Sequence, residues 1–242
     1  MKYRNIIFSL VIMIVIISTG CSSQKSEQES ISDFGTVQVG TIPVLACAPT
    51  FLAFEKGYFA EEGLKVELQS FNSASYMIPL LATGDLDVGV GQPGTELFNA
   101  VHQGLDVKVV SPASTQITGH DNNPFLVRKD LYDSGQITKP ADLKGKTIAG
   151  NVERGLVEFI IVSILDLGDL TLRDVNFITM PFPEMNVALA NQAIDAAVIP
   201  EPLASAAVRD GNAVILIQAS EVFDRPSMGF WFFGKRSDRV CL

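Results

Sequence analysis

The sequence is poor in the residues that build metal centres and disulfide frameworks. It contains three cysteines and two histidines in 242 residues, and the cysteines stand far apart, at positions 21, 47 and 241. This spacing matches neither a zinc motif nor the dense cysteine pairing of small secreted domains. We therefore expect no structural metal and no cofactor.

Basic side chains are also scarce. Lys and Arg number 18 against 27 Asp and Glu, which gives a net charge of -9 and a pI near 4.7. This negative charge argues against nucleic acid or an anionic membrane surface as the main partner. The hydrophobic share of 47% is that of a folded protein with one or two cores.

The start of the chain has the layout of an export signal. Lys2 and Arg4 provide positive charge, and residues 6–17 form an apolar stretch with a single serine in it. A membrane-spanning helix needs roughly 20 apolar residues, so this stretch is too short for a permanent anchor. The pattern therefore predicts a signal peptide over residues 1–20.

The small residues before Cys21 resemble a bacterial lipobox. The resemblance implies that Cys21 becomes the lipidated first residue of the mature protein, and a plain secretory signal is the alternative. Residues 21–35 are mostly polar and lack a periodic pattern, which is typical of a flexible tether. We expect the protein to be held on the extracytoplasmic face of the cell membrane by this lipid.

From residue 36 onward, short β-rich segments alternate with helical patterns. The predicted strands are 37–44, 65–71 and 87–91, and the predicted helices are 49–59, a helix ending near Gly84, and 95–103. Alternation of this kind favours parallel strands joined by crossover helices. Strands without a polar face are typical of a sheet covered on both sides. The predicted class is α/β.

Part of the sequence repeats. Residues 81–90 recur 108 positions later as residues 189–198, with Leu, Ala, Asp and Val at equivalent positions. Two segments upstream of this unit also recur, in the same order. We therefore predict two similar α/β lobes, one beginning near Thr36 and the other near Lys146.

The segment 54–66, FEKGYFAEEGLKV, resembles the helix-to-strand signature of bacterial solute-binding lipoproteins of the nitrate, sulfonate, taurine and thiamine-precursor group. Residues 81–92, 142–148 and 194–202 are similar to the same family, so the resemblance covers about residues 36–236. It implies a periplasmic-binding-protein-like (type II) fold, with two lobes joined by two hinge strands. Each lobe is a mainly parallel sheet flanked by helices. Such proteins close over a small ligand and deliver it to an ABC transporter.

The resemblance also implies limits for the lobes. Lobe one would comprise residues 36–112 plus 219–242, and lobe two residues 113–218. Family members continue for several helices beyond the strand that residues 230–233 resemble, so we expect lobe one to be truncated and to expose an apolar patch. A shorter, self-sufficient relative whose last segment covers this patch is the alternative. The implied partners are a small-molecule ligand and an ABC permease and ATPase complex, and we expect a monomer.

Ligands of open parallel sheets lie beyond the carboxyl ends of the strands. Asp87 and Asp195 begin their strands, roughly 15 Å from that edge, so we assign them a structural role. The candidate ligand-binding residues come from the loops at the ligand edge and past the first hinge. They are Cys47, Ala48, Ser73, Ser75, Gln92, Thr95, His120, Asn151, Arg154 and Glu201.

Two of these candidates are charged. Arg154 could clamp a sulfonate, carboxylate or phosphate through its guanidinium group, or form a solvated salt bridge with Glu153 or Glu158. Glu201 could bind an amine or ring N–H group of the ligand, or cap the next helix. The ligand is therefore expected to be a small anionic, amphoteric or heterocyclic molecule, and an amphoteric or heterocyclic one if both side chains line the cleft.

The sequence assembles no pair of nucleophile and base and contains no phosphate-binding P-loop. We therefore expect a binding protein rather than an enzyme. One alternative is an extracytoplasmic sensory protein that partners a membrane receptor. Another is a pyrimidine-forming or decarboxylating enzyme on the same scaffold, although an export signal argues against a cytoplasmic metabolic role.

Overall fold

Two five-stranded sheets organise the chain in the computed structural model. The structure describes residues 35–92, 94–115, 121–222 and 228–234. The predicted signal peptide, nearly all of the tether with Cys21, and His120 lie outside the described residues. The strands are β1 (Thr36–Thr41), β2 (Lys65–Ser70), β3 (Val88–Gly91), β4 (Lys108–Thr115), β5 (Phe125–Arg128), β6 (Thr147–Gly150), β7 (Asn176–Thr179), β8 (Ala196–Val198), β9 (Ala213–Ile217) and β10 (Met228–Phe233).

Eight α-helices of the described residues connect or flank these strands. They are α1 (Ala48–Lys56), α2 (Tyr58–Glu61), α3 (Met77–Thr83), α4 (Thr95–His102), α5 (Lys129–Asp133), α6 (Leu156–Asp166), α7 (Phe182–Ala190) and α8 (Leu203–Arg209). In the described part of the chain, none of the helices is both long and apolar enough to span a bilayer. Short 3-10 turns, such as Ala74–Tyr76, fill several strand-to-helix connections.

The two sheets have the same arrangement of strands. The first has the order β2-β1-β3-β10-β4, and the second has the order β7-β6-β8-β5-β9. In each sheet three strands pair in parallel, and an antiparallel strand separates them from an edge strand. This correspondence confirms the two similar lobes that the sequence repeat predicts, and both belong to one compact unit, residues 34–242.

The repeated carboxylates, Asp87 and Asp195, lie at equivalent places in the two sheets. The Gln38 N–H group donates to Asp87 Oδ2 at 2.8 Å, and the Thr147 N–H group donates to Asp195 Oδ2 at 2.9 Å. Each carboxylate thus binds the backbone of the neighbouring central strand, β1 or β6, close to its start. Their contacts agree with the structural role that the sequence predicts.

Glycines end the helices of the family signature. Gly57 follows α1 with φ at 79°, and Gly63 precedes β2 with φ at 74°. This left-handed conformation strains residues that carry a Cβ, which explains why glycine stands there. The predicted helix ending near Gly84 is also confirmed, because α3 ends at Thr83 and Gly84 has φ at 86°.

The cores of the lobes differ in size. One continuous cluster fills the second lobe and includes Phe125, Leu126 and Ile148, all fully buried. The first lobe divides its core between two smaller clusters on opposite faces of its sheet, one around Met77 and Phe232 and one around Val37.

The chain passes between the sheets twice. β4 pairs with β10 as far as Thr115, three residues beyond the predicted limit of lobe one at residue 112, and the chain enters the second sheet at β5. The Ser220 N–H group, after β9, donates to Asp121 Oδ1 at 3.0 Å, and the Ser220 hydroxyl donates to Asp121 Oδ2. These bonds join the two connections to each other.

Candidate functional site

A cleft lies between the carboxyl ends of the parallel strands of the two sheets. It holds about 760 Å³ of empty space, its open mouth included. The first lobe contributes Ile42, Val44, Leu45, Ala46, Cys47, Ser73, Ala74, Ser75, Val90, Gly91, Gln92, Gly94, Glu96 and Ser114. The remaining lining residues are Asn122, Asn123, Asn151, Val152, Gly155, Leu156, Val157, Phe182, Pro200 and Glu201. This is the place where ligands bind in open parallel sheets.

Six of the ten candidate residues line this cleft, namely Cys47, Ser73, Ser75, Gln92, Asn151 and Glu201. Ala48, Thr95 and Arg154 are described but are not among the lining residues. His120 lies outside the described residues. Contact of these six residues with a ligand stays a prediction. They were selected because ligands bind beyond the strand ends, and the structure places all six at one cavity.

Arg154 is exposed, and its φ of 59° is unusual for a residue with a side chain. Its N–H group donates to Glu158 Oε2 at 2.9 Å, so Glu158 binds the backbone of Arg154. Among the ion pairs of the described residues, none involves the Arg154 guanidinium group.

Among the described residues, three hydrogen bonds join the lobes around the cleft. They run from the Leu45 N–H group to the Glu201 carbonyl oxygen (2.9 Å), from Asn151 Nδ2 to the Asn72 carbonyl oxygen (2.9 Å), and from Thr95 Oγ1 to the Arg154 carbonyl oxygen (3.3 Å). Bonds between residues so distant in sequence require that the lobes approach each other closely. The structure therefore has its lobes in contact around the cleft.

Glu96 is the lining residue whose omission from the sequence prediction matters most. It lies in the first turn of α4, where an acidic side chain ordinarily indicates only a favourable interaction with the helix dipole. The Ser75 hydroxyl donates to Glu96 Oε1, and Ser73 Oγ lies 3.1 Å from Ser75 Oγ. Thr95 Oγ1 lies 3.2 Å from Glu96 Oε2. Two hydroxyl groups, those of Ser75 and Thr95, thus contact this carboxylate, and Ser73 contacts the Ser75 hydroxyl.

Glu201 lies just before α8, on the second lobe. Its carboxylate accepts hydrogen bonds from the Ser205 N–H group at 3.1 Å and from the Ser205 hydroxyl at 2.9 Å. The helix-capping alternative considered for Glu201 is therefore present, at the start of α8. The same side chain also lines the cleft, so capping and ligand contact do not exclude each other.

Asn151 holds an unpaired oxygen at the cleft. Its Nδ2 donates to the first lobe, and its Oδ1 is buried without a hydrogen-bond partner among the described residues. Buried polar atoms are nearly always paired in native proteins. This oxygen is therefore a candidate acceptor for a ligand donor.

Ser114, Asn122 and Asn123 also line the cleft, and the sequence prediction omitted them. Ser114 lies near the end of β4, and Asn122 and Asn123 belong to the first connection between the sheets, whereas the prediction drew mainly on strand-to-helix loops. The alternating pattern that marks strands and helices carries no signal for such positions. Only the packing of the two lobes brings them to the cavity.

Cys47 is buried in the cleft wall. Burial raises the pKa of its thiol, and a hydrogen bond with the Ile42 backbone lowers it by a smaller amount. The thiol is therefore protonated at neutral pH, unlike an activated nucleophile. Across the described ranges, no group of three His, Cys, Asp or Glu side chains is placed to hold a metal ion.

Two curated proteins show the relationship at the level of sequence. A protein of Aspergillus parasiticus named 4-amino-5-hydroxymethyl-2-methylpyrimidine phosphate synthase is 35% identical over 111 residues, which are 46% of this chain and 30% of that protein. The formylaminopyrimidine-binding protein of Halalkalibacterium halodurans is 30% identical over 143 residues, 59% of this chain and 40% of its own. The chain thus spans less than half the length of either relative.

Solved structures show the relationship at the level of fold. The alkanesulfonate-binding protein of Xanthomonas axonopodis pv. citri, bound to MOPS, aligns with a TM-score of 0.69 and 21% identity, over 85% of this chain and 67% of its own. A ligand-binding component of an ABC-type import system from Staphylococcus aureus aligns with a TM-score of 0.67 and 14% identity, over 85% and 69%. These likenesses confirm the two-lobed α/β fold of the periplasmic binding proteins. The NMT1-like family matches residues 33–232, and the chain belongs to that family.

Proposed function

We propose that the chain is the extracytoplasmic solute-binding component of an ABC importer and holds one small molecule between its two lobes. The observation that carries the proposal is the cleft, which both lobes line and which inter-lobe hydrogen bonds close. Such bonds can form when the lobes close and break when they open. A hinge motion of this kind lets a transporter distinguish the loaded protein from the empty one.

The composition of the cleft also favours binding over catalysis. Among the described lining residues, the only thiol is that of Cys47, and histidine does not occur. The two carboxylates, Glu96 and Glu201, have hydroxyl or amide donors of the protein as their neighbours. Both carboxylates thus already accept hydrogen bonds from the protein, whereas a general base must accept a proton of its substrate. The pyrimidine synthase among the relatives makes an enzyme the second candidate.

Partner capture tests the proposal. After chemical cross-linking in intact cells, isolation of the chain should recover a permease with several membrane spans and an ATPase. The sensory alternative predicts a receptor or sensor kinase instead. Recovery of that partner, or of soluble metabolic enzymes, would contradict the importer.

The membrane anchor is part of the same proposal, because a lipid would keep an exported solute-binding protein close to its transporter. We propose that Cys21 carries the lipid and that the folded part acts as a monomer on its tether. Cys21→Ala should move the protein from the membrane fraction to the medium or periplasm. Cys241→Ala is the matched control and should stay with the membrane. A Cys21→Ala variant that stays in the membrane fraction after a high-salt wash would show that another anchor exists.

A further inference from the structure

We propose that the cleft takes a small organic cation, with an ammonium or amidinium group on an apolar body, between Glu96 and Glu201. The inference rests on the proposed function, because it specifies the ligand of the same cleft. The sequence-based expectation is an anionic, amphoteric or heterocyclic ligand, with Arg154 able to clamp an anionic group and Glu201 able to bind an amine or ring N–H group. The inference keeps the role of Glu201, adds Glu96 and removes Arg154.

The first support is the charge of the cleft. Two side chains of its described lining, Glu96 and Glu201, can only accept hydrogen bonds. Lys, Arg and Trp, whose side chains can only donate, do not occur in that lining. The lining amides of Gln92, Asn122 and Asn123 can donate or accept, so they favour neither sign of ligand. Closing the lobes over two carboxylates removes them from water, and a cationic ligand offsets that cost while an anion adds repulsion.

The second support concerns the helix N-termini, the usual anion sites of this kind of fold. The helices α4, α6 and α8 all begin near the cleft, and each has a carboxylate of the chain at its start. Glu96 lies in the first turn of α4, Glu158 accepts the N–H group of Arg154 just before α6, and Glu201 accepts the N–H group of Ser205 in α8. The positive ends of these three helices are therefore already balanced, whereas α1, which begins beside Cys47, has no acidic residue in its first turn.

A third, independent support is the Asn151 side-chain oxygen, which has no hydrogen-bond partner among the described residues. Because Nδ2 donates to a carbonyl oxygen, which can only accept, the orientation of the amide is fixed with Oδ1 as the free end. A buried acceptor of this kind requires a donor. The ligand N–H groups that reach the carboxylates are of the type that this oxygen needs.

The rest of the wall suits an apolar body. Ile42, Val44, Val152, Leu156 and Phe182 line the cleft together with the polar groups. Ligand sites commonly combine such apolar walls with a few polar groups that fix orientation. A hydrated inorganic ion would leave these side chains without a partner, whereas a hydrocarbon skeleton fills the space against them.

The experiment compares head groups on identical bodies. Calorimetry of the full chain is run with benzylammonium, benzyl alcohol and phenylmethanesulfonate, and with butylammonium, butanol and butanesulfonate. In at least one series we expect the ammonium compound to bind at least about tenfold more tightly than its neutral and anionic counterparts. The reason is that only the ammonium group can donate a charged hydrogen bond to the carboxylates. Tighter binding of a sulfonate or an alcohol would overturn the inference and leave the importer in place.

Variants assign the effect to the cleft. Glu96→Gln keeps the shape of the side chain and should weaken ammonium binding about 10- to 100-fold, in line with the loss of one charged contact. Glu62→Gln removes an exposed carboxylate that lies before the start of β2, at the sheet edge away from the cleft, and should leave the affinity within about twofold. Equal effects of both variants, or no binding by any compound of the two series, would contradict the proposed ligand class. Partner capture tests the importer separately.

Discussion

Replacing Phe232 with alanine should lower the free energy of unfolding by about 3 to 5 kcal/mol. Phe232 has no exposed surface and lies in β10, opposite Gly89 of β3 and Val109 of β4. Its ring belongs to the core cluster of the first lobe, together with Met77 and Leu81. Removing the ring leaves a cavity in the middle of the sheet, and a closely packed core fills such a cavity only in part.

The second lobe provides an equivalent substitution. Leu126 in β5 faces Ala197 of β8 as Phe232 faces Gly89, and it too is fully buried. Leu126→Ala should cost about 2 to 5 kcal/mol. Phe98→Ala, at a side chain that is 67% exposed, should change stability by less than about 1 kcal/mol. Urea denaturation followed by circular dichroism measures all three. A loss for Phe232→Ala no larger than that for Phe98→Ala would mean that β10 does not occupy the centre of the first sheet.

Gly91→Val should reduce the affinity for the solute that occupies the cleft by about 100-fold, which corresponds to roughly 2.7 kcal/mol. Gly91 ends β3 and lines the cleft. A Cβ atom at this position would lie 2.6 Å from the Ala74 Cβ, well inside van der Waals contact. The valine must displace the turn that carries Ser75 or enter the cavity, and either change removes space or contacts from the ligand.

Ala48→Val is the matched control for this substitution. Ala48 follows Cys47 in the chain and was predicted to bind ligand, but it does not line the cleft. The larger side chain there should leave the affinity within about threefold. Calorimetry with the solute released from the wild-type protein gives both values. Equal affinities for the wild type and Gly91→Val would remove the cleft as the binding site.

Most of the fold can be predicted from the sequence, because the sequence patterns that indicate strands and helix ends are local and occur in both lobes. The segment around Asp87 recurs around Asp195, and both carboxylates bind the backbone of a neighbouring strand in the structure. Helix ends at Gly57 and Gly84 follow from the left-handed conformation that glycine permits. Periodicity and helix-end signals of this kind depend on a few residues, so they can be read without tertiary information.

The site is predicted less completely, because its members depend on side-chain directions and on contacts between lobes. Arg154 has the right charge and the right loop, yet its side chain is exposed and outside the cleft. Glu96 resembles an ordinary first-turn acid, and its role at the cleft depends on the hydroxyl of Ser75, which lies in another loop. Asn122 and Asn123 reach the cavity from a connection between the sheets.

Lobe closure over a bound solute is tested most directly by small-angle X-ray scattering. The chain is first freed of solute by unfolding and refolding, and the solute released from the native protein is then added back. The account predicts that the radius of gyration falls on addition, because Asn151 and the Asn72 carbonyl oxygen come together from opposite lobes, and that Gly91→Val shows no such change. A radius of gyration that stays constant for the wild type, or falls equally for Gly91→Val, would contradict it.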